Sequence, residues 1–223
     1  MIRTRIVAEL PLKLALSVAL TAFFCVPYFA LQATPIFPVR TLPLTWIDRA
    51  AGFVPAWVWV YQSVYLLIAI VPWLASDRDT LVRYARGFVL LSTIAFACFL
   101  LLPVAGPRPA EVPTSGMFGL LVLYDRPLNA LPSLHCALAA YSVLLAREIS
   151  RTALAVRLRR AVLGLLALWV VFICYATLAT KQHYVVDLPP GILLGWLGHR
   201  WAWRRRSSAA RERAWIPQQA GPA

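Results

Sequence analysis

The sequence predicts an all-α, polytopic membrane protein with six transmembrane helices. Its 223 residues are 61% hydrophobic and only 14% charged, whereas about 25% of the residues of a soluble domain are charged. Six segments are apolar over most of the roughly 20 residues that a helix needs to cross a bilayer. A third observation is the uneven distribution of Lys and Arg among the loops, which indicates the orientation of the helices.

The six predicted spans differ in strength. The first is interpreted as a retained helix, because no small-residue cleavage site follows it cleanly. The fourth and sixth are weaker, since His135 lies near the start of one and Asp187 opens the other. Polar residues at such positions are costly unless they have a function. In chain order the spans are 12–31, 56–74, 87–104, 131–149, 161–179 and 185–203.

The basic residues predict the topology. Six spans place both termini on one side with the loops 75–86 and 150–160, and that side holds seventeen of the 22 Lys and Arg residues. By the positive-inside rule this side is cytoplasmic. Orientation and anionic lipids at the basic cytoplasmic loops therefore explain the net charge of +13 without a nucleic-acid partner. We interpret 1–223 as a single integral membrane domain that ends in a basic cytoplasmic tail, 204–223.

Chemically reactive residues gather at the opposite, non-cytoplasmic ends of the spans. Ser133 and His135 lie at the outer end of the fourth span, and Lys181 and His183 lie just before the sixth. Arg108 follows the third span and reaches the same surface. We therefore expect three separate parts of the chain to meet at one membrane interface.

Three of these residues are suited to binding phosphate. Phosphoryl transfer needs positive charge and hydrogen-bond donors around the equatorial oxygens. Arg108 would supply a guanidinium fork, Lys181 a second charge and Ser133 a hydroxyl donor. Each also has an ordinary alternative: Arg108 could anchor at lipid headgroups, Ser133 could cap the fourth helix, and Lys181 could reach along its helix towards the interface.

The histidines are suited to the bond-making steps. If the last helix begins near Lys181, His183 and Asp187 share one helical face, and the carboxylate would hold the imidazole. His183 would attack phosphorus to give a phosphohistidine, while His135 would protonate the departing oxygen and later deprotonate the acceptor. The alternative for Asp187 is a simple cap at the start of the last helix.

Three motifs, GPRP at 106–109, PSLH at 132–135 and HYVVD at 183–187, resemble in this order those of the type 2 phosphatidic acid phosphatase superfamily. Its members are metal-independent lipid phosphatases and phosphotransferases that use histidine. The resemblance covers roughly 56–203. It implies a six-helix core with the site on the outer face. Arg108 matches the phosphate-binding arginine of the first motif, Ser133 and His135 match the second motif, and His183 and Asp187 match the third.

The motifs also depart from the family pattern. Leu101 stands where the first motif usually has a lysine, and Leu134 replaces a glycine of the second. Ala176 and Thr177 stand where the third motif usually carries serine and arginine. Lys181 can substitute for one of the two missing cations. In these departures the chain resembles the branch that contains inositol phosphorylceramide synthases and their bacterial relatives.

The resemblance implies an enzyme that dephosphorylates a lipid phosphate or diphosphate, or one that transfers a phospho-head group between lipids. A phospholipid or other lipid phosphate is the expected substrate, and no cofactor is expected. The expected location is a bacterial inner membrane, with the active site periplasmic. Two other interpretations are a non-catalytic transporter and a metal site of His135, His183 and Asp187, which the surrounding cations disfavour.

Overall fold

The computed structural model describes residues 2–204, and helices form at all six predicted spans. Four segments are long and apolar enough to cross a membrane: Leu10–Ala33, Pro55–Trp73, Arg78–Leu101 and Val156–Ala179. The fourth predicted span forms a helix with charged residues in its last two turns, and the sixth forms a helix of 17 residues. The predicted basic tail lies, from residue 205 onward, outside the described residues.

The elements are numbered in chain order over the described part of the chain. The helices are α1 Ile2–Val7, α2 Leu10–Ala33, α3 Trp46–Ala50, α4 Val58–Gln62, α5 Val64–Trp73, α6 Arg78–Leu101, α7 Gly116–Tyr124, α8 Leu134–Ala153, α9 Val156–Ala179 and α10 Leu188–Arg204. Short 3-10 turns, Pro55–Trp57 and Val185–Asp187, precede α4 and α10. Two short strands, β1 Arg40–Thr41 and β2 Val104–Ala105, pair in parallel.

Capping residues set the helix boundaries that hydropathy misplaces. α6 begins at Arg78, nine residues before the predicted span, because the Asp77 carboxylate accepts the Thr80 N–H at 2.8 Å. The last helix begins at Leu188 and not near Lys181. The condition under which His183 and Asp187 would share a helical face is therefore not met, because His183 precedes a 3-10 turn of which Asp187 is the last residue.

α8 lies at the centre of the bundle. It packs against α10, α9 and α5, while α6 packs against α10 and α2. Two glycines allow the backbones of α8 and α10 to touch, since a Cβ at Gly191 or Gly195 would overlap the carbonyl oxygen of Ser133 or Ala137. Small residues permit such close approach between membrane helices. This contact fixes the start of α8 against the segment that precedes α10.

The loops at this end of the bundle are packed together. Val104 of β2 accepts a hydrogen bond from the Ala130 N–H at 3.1 Å. The apolar segment 117–124 forms most of α7, whose Phe118 and Leu121 are buried. The loops therefore lie over the end of α8 that carries His135.

Polar contacts attach α2 to the other helices at both of its ends. At one end Lys13 donates to the Trp73 carbonyl at 2.8 Å, and the Trp73 indole donates to Ser17 at 3.1 Å. At the other end Gln32 donates to the Asp125 carboxylate at 2.6 Å. Between these ends α2 lies against α6.

Candidate active site

The second and third motifs meet at the start of α8. The rings of His135 and His183 lie 5.7 Å apart, centroid to centroid, and are inclined at 63°. The Ser133 N–H donates to the Asp187 carbonyl at 3.1 Å, which joins the two backbones directly. Both imidazoles are buried. The two rings are thus close enough to contact one tetrahedral group between them.

The hydrogen bonds of His183 determine which ring nitrogen is free. Its Nδ1 lies 2.9 Å from the Ala130 carbonyl oxygen. Because a carbonyl can only accept, Nδ1 carries a proton, and in the neutral ring Nε2 then keeps its lone pair. The Asp187 carboxylate lies 3.5 Å from Nδ1 and also accepts the Tyr184 N–H at 2.8 Å. Asp187 therefore caps the turn and places negative charge beside the imidazole.

His135 is held by aromatic side chains. Its ring stacks on Tyr61 with centroids 4.0 Å apart and meets Tyr65 edge-on at 6.1 Å. Its buried Nε2 has no hydrogen-bond partner among the described residues. A cavity of about 20 Å³ adjoins both His135 and His183. A rigidly held imidazole with an uncommitted nitrogen can give or take a proton.

Ser133 caps the start of α8, which is the alternative role considered for it from the sequence. Its Oγ accepts the Cys136 N–H at 3.4 Å, and its side chain is fully buried. The hydroxyl proton remains to be donated. The free amides of the first turn of α8 point in the same direction as this cap and favour an anion.

Arg108 lies beside the third motif. Its Nη1 donates to the Asp125 carbonyl at 3.0 Å and its Nη2 donates to the Gln182 side chain, while its buried Nε has no partner among the described residues. Gly106 makes this approach possible, because a Cβ there would overlap the Gln182 carbonyl oxygen. Burial lowers the pKa of Arg108, and the negative charge of Asp125 raises it in part. An arginine stays protonated in spite of such shifts.

Lys181 points to a different partner. Its backbone is left-handed, with φ of 56°, and its Nζ donates to the main-chain carbonyl of Asp48. Burial lowers the pKa of Lys181, and the Asp48 carboxylate partly opposes this. In this structure Lys181 attaches the loop around α3 to the third motif, and its role as a phosphate ligand stays a prediction.

Sequence reasoning missed Asp125. Its buried carboxylate accepts hydrogen bonds from Gln32 at 2.6 Å and from Tyr28 at 3.1 Å, and Arg108 and His183 are near enough to act electrostatically on its pKa. Burial raises the pKa of Asp125 in spite of these donors. One signal was available: the chain has only nine acidic residues, and this one directly follows the apolar segment 117–124.

Over residues 2–204 no group of three or more His, Cys, Asp or Glu side chains is placed to hold a metal ion.

Comparison with known proteins places these motifs in a family. The model of the PAP2 superfamily matches residues 29–201, which include all three motifs and begin within α2, ahead of the predicted start of the family-like core at 56. No curated protein and no solved structure gave a match. Members of the superfamily are phosphoesterases or phosphotransferases. The chain belongs to the PAP2 superfamily.

Proposed function

We propose that the protein is a membrane lipid phosphatase that removes phosphate from a lipid phosphate or diphosphate through a phosphohistidine intermediate. The observation that carries the proposal is the paired, buried imidazoles, 5.7 Å apart, in which the Ala130 carbonyl accepts from Nδ1 of His183, so that in the neutral ring the lone pair is on Nε2. Membership of the superfamily supports a phosphatase or phosphotransferase of lipid phosphates.

The reaction has two steps. In the first, Nε2 of His183 forms a bond to phosphorus while the bond from phosphorus to the lipid oxygen breaks, and His135 gives that oxygen a proton. In the second, the water oxygen forms a bond to phosphorus while the bond from phosphorus to Nε2 of His183 breaks, and His135 takes a proton from the water. Inorganic phosphate leaves and both histidines return to their starting states. The charge of Asp187, 3.5 Å from Nδ1, stabilises the cationic ring of the intermediate.

Arg108, Ser133 and the first amides of α8 would bind the phosphate oxygens. The Nε of Arg108 has no partner among the described residues and would serve this purpose, while Nη1 and Nη2 each donate one N–H, to Asp125 and Gln182. Lys181 would contribute a charge only after leaving the Asp48 carbonyl.

We propose that the chain crosses the membrane six times. α8, of 20 residues, and the 3-10 turn with α10, also 20 residues from 185 to 204, would each extend about 30 Å, the thickness of the hydrocarbon core. Both termini would be cytoplasmic, with anionic lipids at the basic loops, and the site would face the periplasm of a bacterial inner membrane. The asymmetry of Lys and Arg supports this orientation.

A phosphotransferase of the inositol phosphorylceramide synthase kind is a second candidate. Thr177 is fully buried, and its hydroxyl donates to the Cys174 carbonyl at 2.7 Å, so this position does not restore the missing cation of the third motif. That departure favours the transferase branch. The two candidates share the first step and differ in whether water or an alcohol accepts the phosphoryl group.

The test uses purified protein and a lipid phosphate radiolabelled in its phosphate. We expect His183→Ala to abolish the labelled phosphoenzyme and His135→Ala to slow its formation. His199→Ala is the matched control, since that ring stacks on Trp203 at 4.4 Å near the opposite end of α10. Labelled phosphoenzyme at the wild-type level in His183→Ala would contradict the assignment. Adding candidate alcohols separates free phosphate, the phosphatase product, from a new labelled lipid, the transferase product.

A further inference from the structure

An apolar cavity of about 480 Å³ lies between α2, α5, α6 and α8. Its volume falls within the roughly 300–1,000 Å³ of known ligand sites. Its walls are aliphatic and aromatic side chains along most of its length, such as Leu20, Phe24 and Ile68. Charged side chains line it only at its ends, Asp125 at one and Lys13 at the other. Such a lining favours a long hydrocarbon with a polar group at its end.

The way α2 is attached creates the cavity. α2 lies against α6, and α5 lies against α8, so a gap remains between α2 and α5 along their middles. The hydrogen bonds of Lys13 and Ser17 to Trp73 close the gap at one end. Those of Tyr28 and Gln32 to Asp125 hold α2 at the other end. The gap is therefore fixed at its ends and unfilled between them.

The cavity adjoins the candidate active site. Five residues line both this cavity and the small cavity beside the two histidines: Phe24, Tyr28, Tyr65, Ile68 and Leu138. Asp125 lies at the end of the cavity opposite Lys13, and it interacts electrostatically with His183 and Arg108. A group bound at the histidines would thus have its attached chain directed into the gap.

We propose that one hydrocarbon chain of the lipid phosphate substrate lies in this gap, with its phosphate at His183. The inference rests on the proposed function and names the part of the substrate that the cavity binds. From Lys13 to Tyr28 the gap runs about 22 Å along α2, which exceeds the roughly 15 Å of one leaflet of the hydrocarbon core. It therefore accepts a single long chain, and a second chain of the same lipid stays in the bilayer.

The chain enters from the side. Thr21 of α2 and Tyr65 and Ala69 of α5 line the cavity and are exposed, so the gap opens between these two helices. A lipid can then move its chain from the bilayer into the gap without crossing water. Because Ala69 is small and faces the opening, a larger side chain there fills the gap without entering the buried core.

The test compares two neighbouring substitutions on α5. Ala69→Trp fills the gap, whereas Ile70→Trp, at a position that is 53% exposed and outside the cavity lining, is the matched control. The substrates are hexadecyl phosphate and butyl phosphate. We expect Ala69→Trp to lower the ratio of kcat/KM for hexadecyl over butyl phosphate about tenfold or more, since displacing two buried methylenes costs roughly that factor. Ile70→Trp leaves the ratio at the wild-type value.

An unchanged ratio in Ala69→Trp, or an equal fall in Ile70→Trp, would overturn the inference while leaving the phosphatase proposal intact. Wild-type protein that releases no phosphate from either substrate would instead remove the proposed function.

A photo-crosslinking measurement tests the position of the hydrocarbon chain without enzymatic turnover. Hexadecyl phosphate carrying a diazirine at mid-chain is photolysed with the His183→Ala protein, and the labelled residues are located by mass spectrometry. We expect label on the gap-facing residues of α2 and α5, among them Leu20 and Ala69. Label confined to outward-facing residues of α9 such as Leu165 and Val171, which are 68% and 60% exposed, would refute the inference.

Discussion

Gly195→Ala is the substitution whose effect follows most directly from the packing. Its new Cβ would overlap the Ala137 carbonyl oxygen of α8. To restore an ordinary contact, α10 and α8 must separate by about 1 Å. Overpacking of this kind costs about 1–3 kcal/mol of stability. Because His135 and Asp187 lie at the ends of the two helices that separate, the geometry of the histidine pair changes as well.

A displacement of that size is expected to reduce the rate of phosphate release by roughly a hundredfold. Gly164→Ala on α9 is the control, because a Cβ there meets nothing within 4 Å. Removing a helical glycine there should stabilise the protein by roughly 0.5–1 kcal/mol. The assays are thermal unfolding of the purified protein in detergent and the initial rate of phosphate release from a lipid phosphate. Wild-type stability and rate in Gly195→Ala would show that the contact between α8 and α10 does not position the site.

Three further predictions use the same preparation. Arg108→Lys keeps the charge but loses the fork that contacts Asp125 and Gln182. The value of kcat/KM should therefore fall about tenfold or more. An unchanged value would exclude Arg108 as a phosphate ligand. Burial raises the pKa of Asp125 above its usual 3.8, so the native protein should lose stability as the pH rises from below 3.8 through the raised pKa. In Asp125→Asn unfolding temperatures should fall less over that range, and parallel profiles would contradict the assignment. A chelator should leave phosphate release unchanged, whereas a loss restored by a divalent cation would favour the metal interpretation.

The helices could be predicted from hydropathy because each lies within a long apolar run. Their boundaries could not, since these depend on single side chains such as Asp77, whose carboxylate caps α6. The second predicted span is divided at Ser63, where α4 gives way to α5. A hydropathy average over the segment does not locate this change, because the average combines the residues on both sides of Ser63.

The site residues were predicted from motifs, but their partners depend on tertiary contacts. His183 bonds to the Ala130 carbonyl and Lys181 bonds to the Asp48 carbonyl, and neither acceptor can be found from residue type since every residue has one. Asp125 was missed for a related reason. Its importance depends on Gln32, 93 positions away, and on a burial that only the assembled bundle produces.

The attachment of α2 at its two ends has a mechanical consequence. Because α2 is held at both ends, bending of its middle changes the width of the gap beside it. The hydrogen bonds at its two ends need not break. Pro27 lies within α2 and removes one main-chain donor, which makes the helix easier to bend there. The width of the opening towards the lipid is thus governed by the elasticity of one helix, and lipids of different thickness can be admitted without dissociation of the bundle.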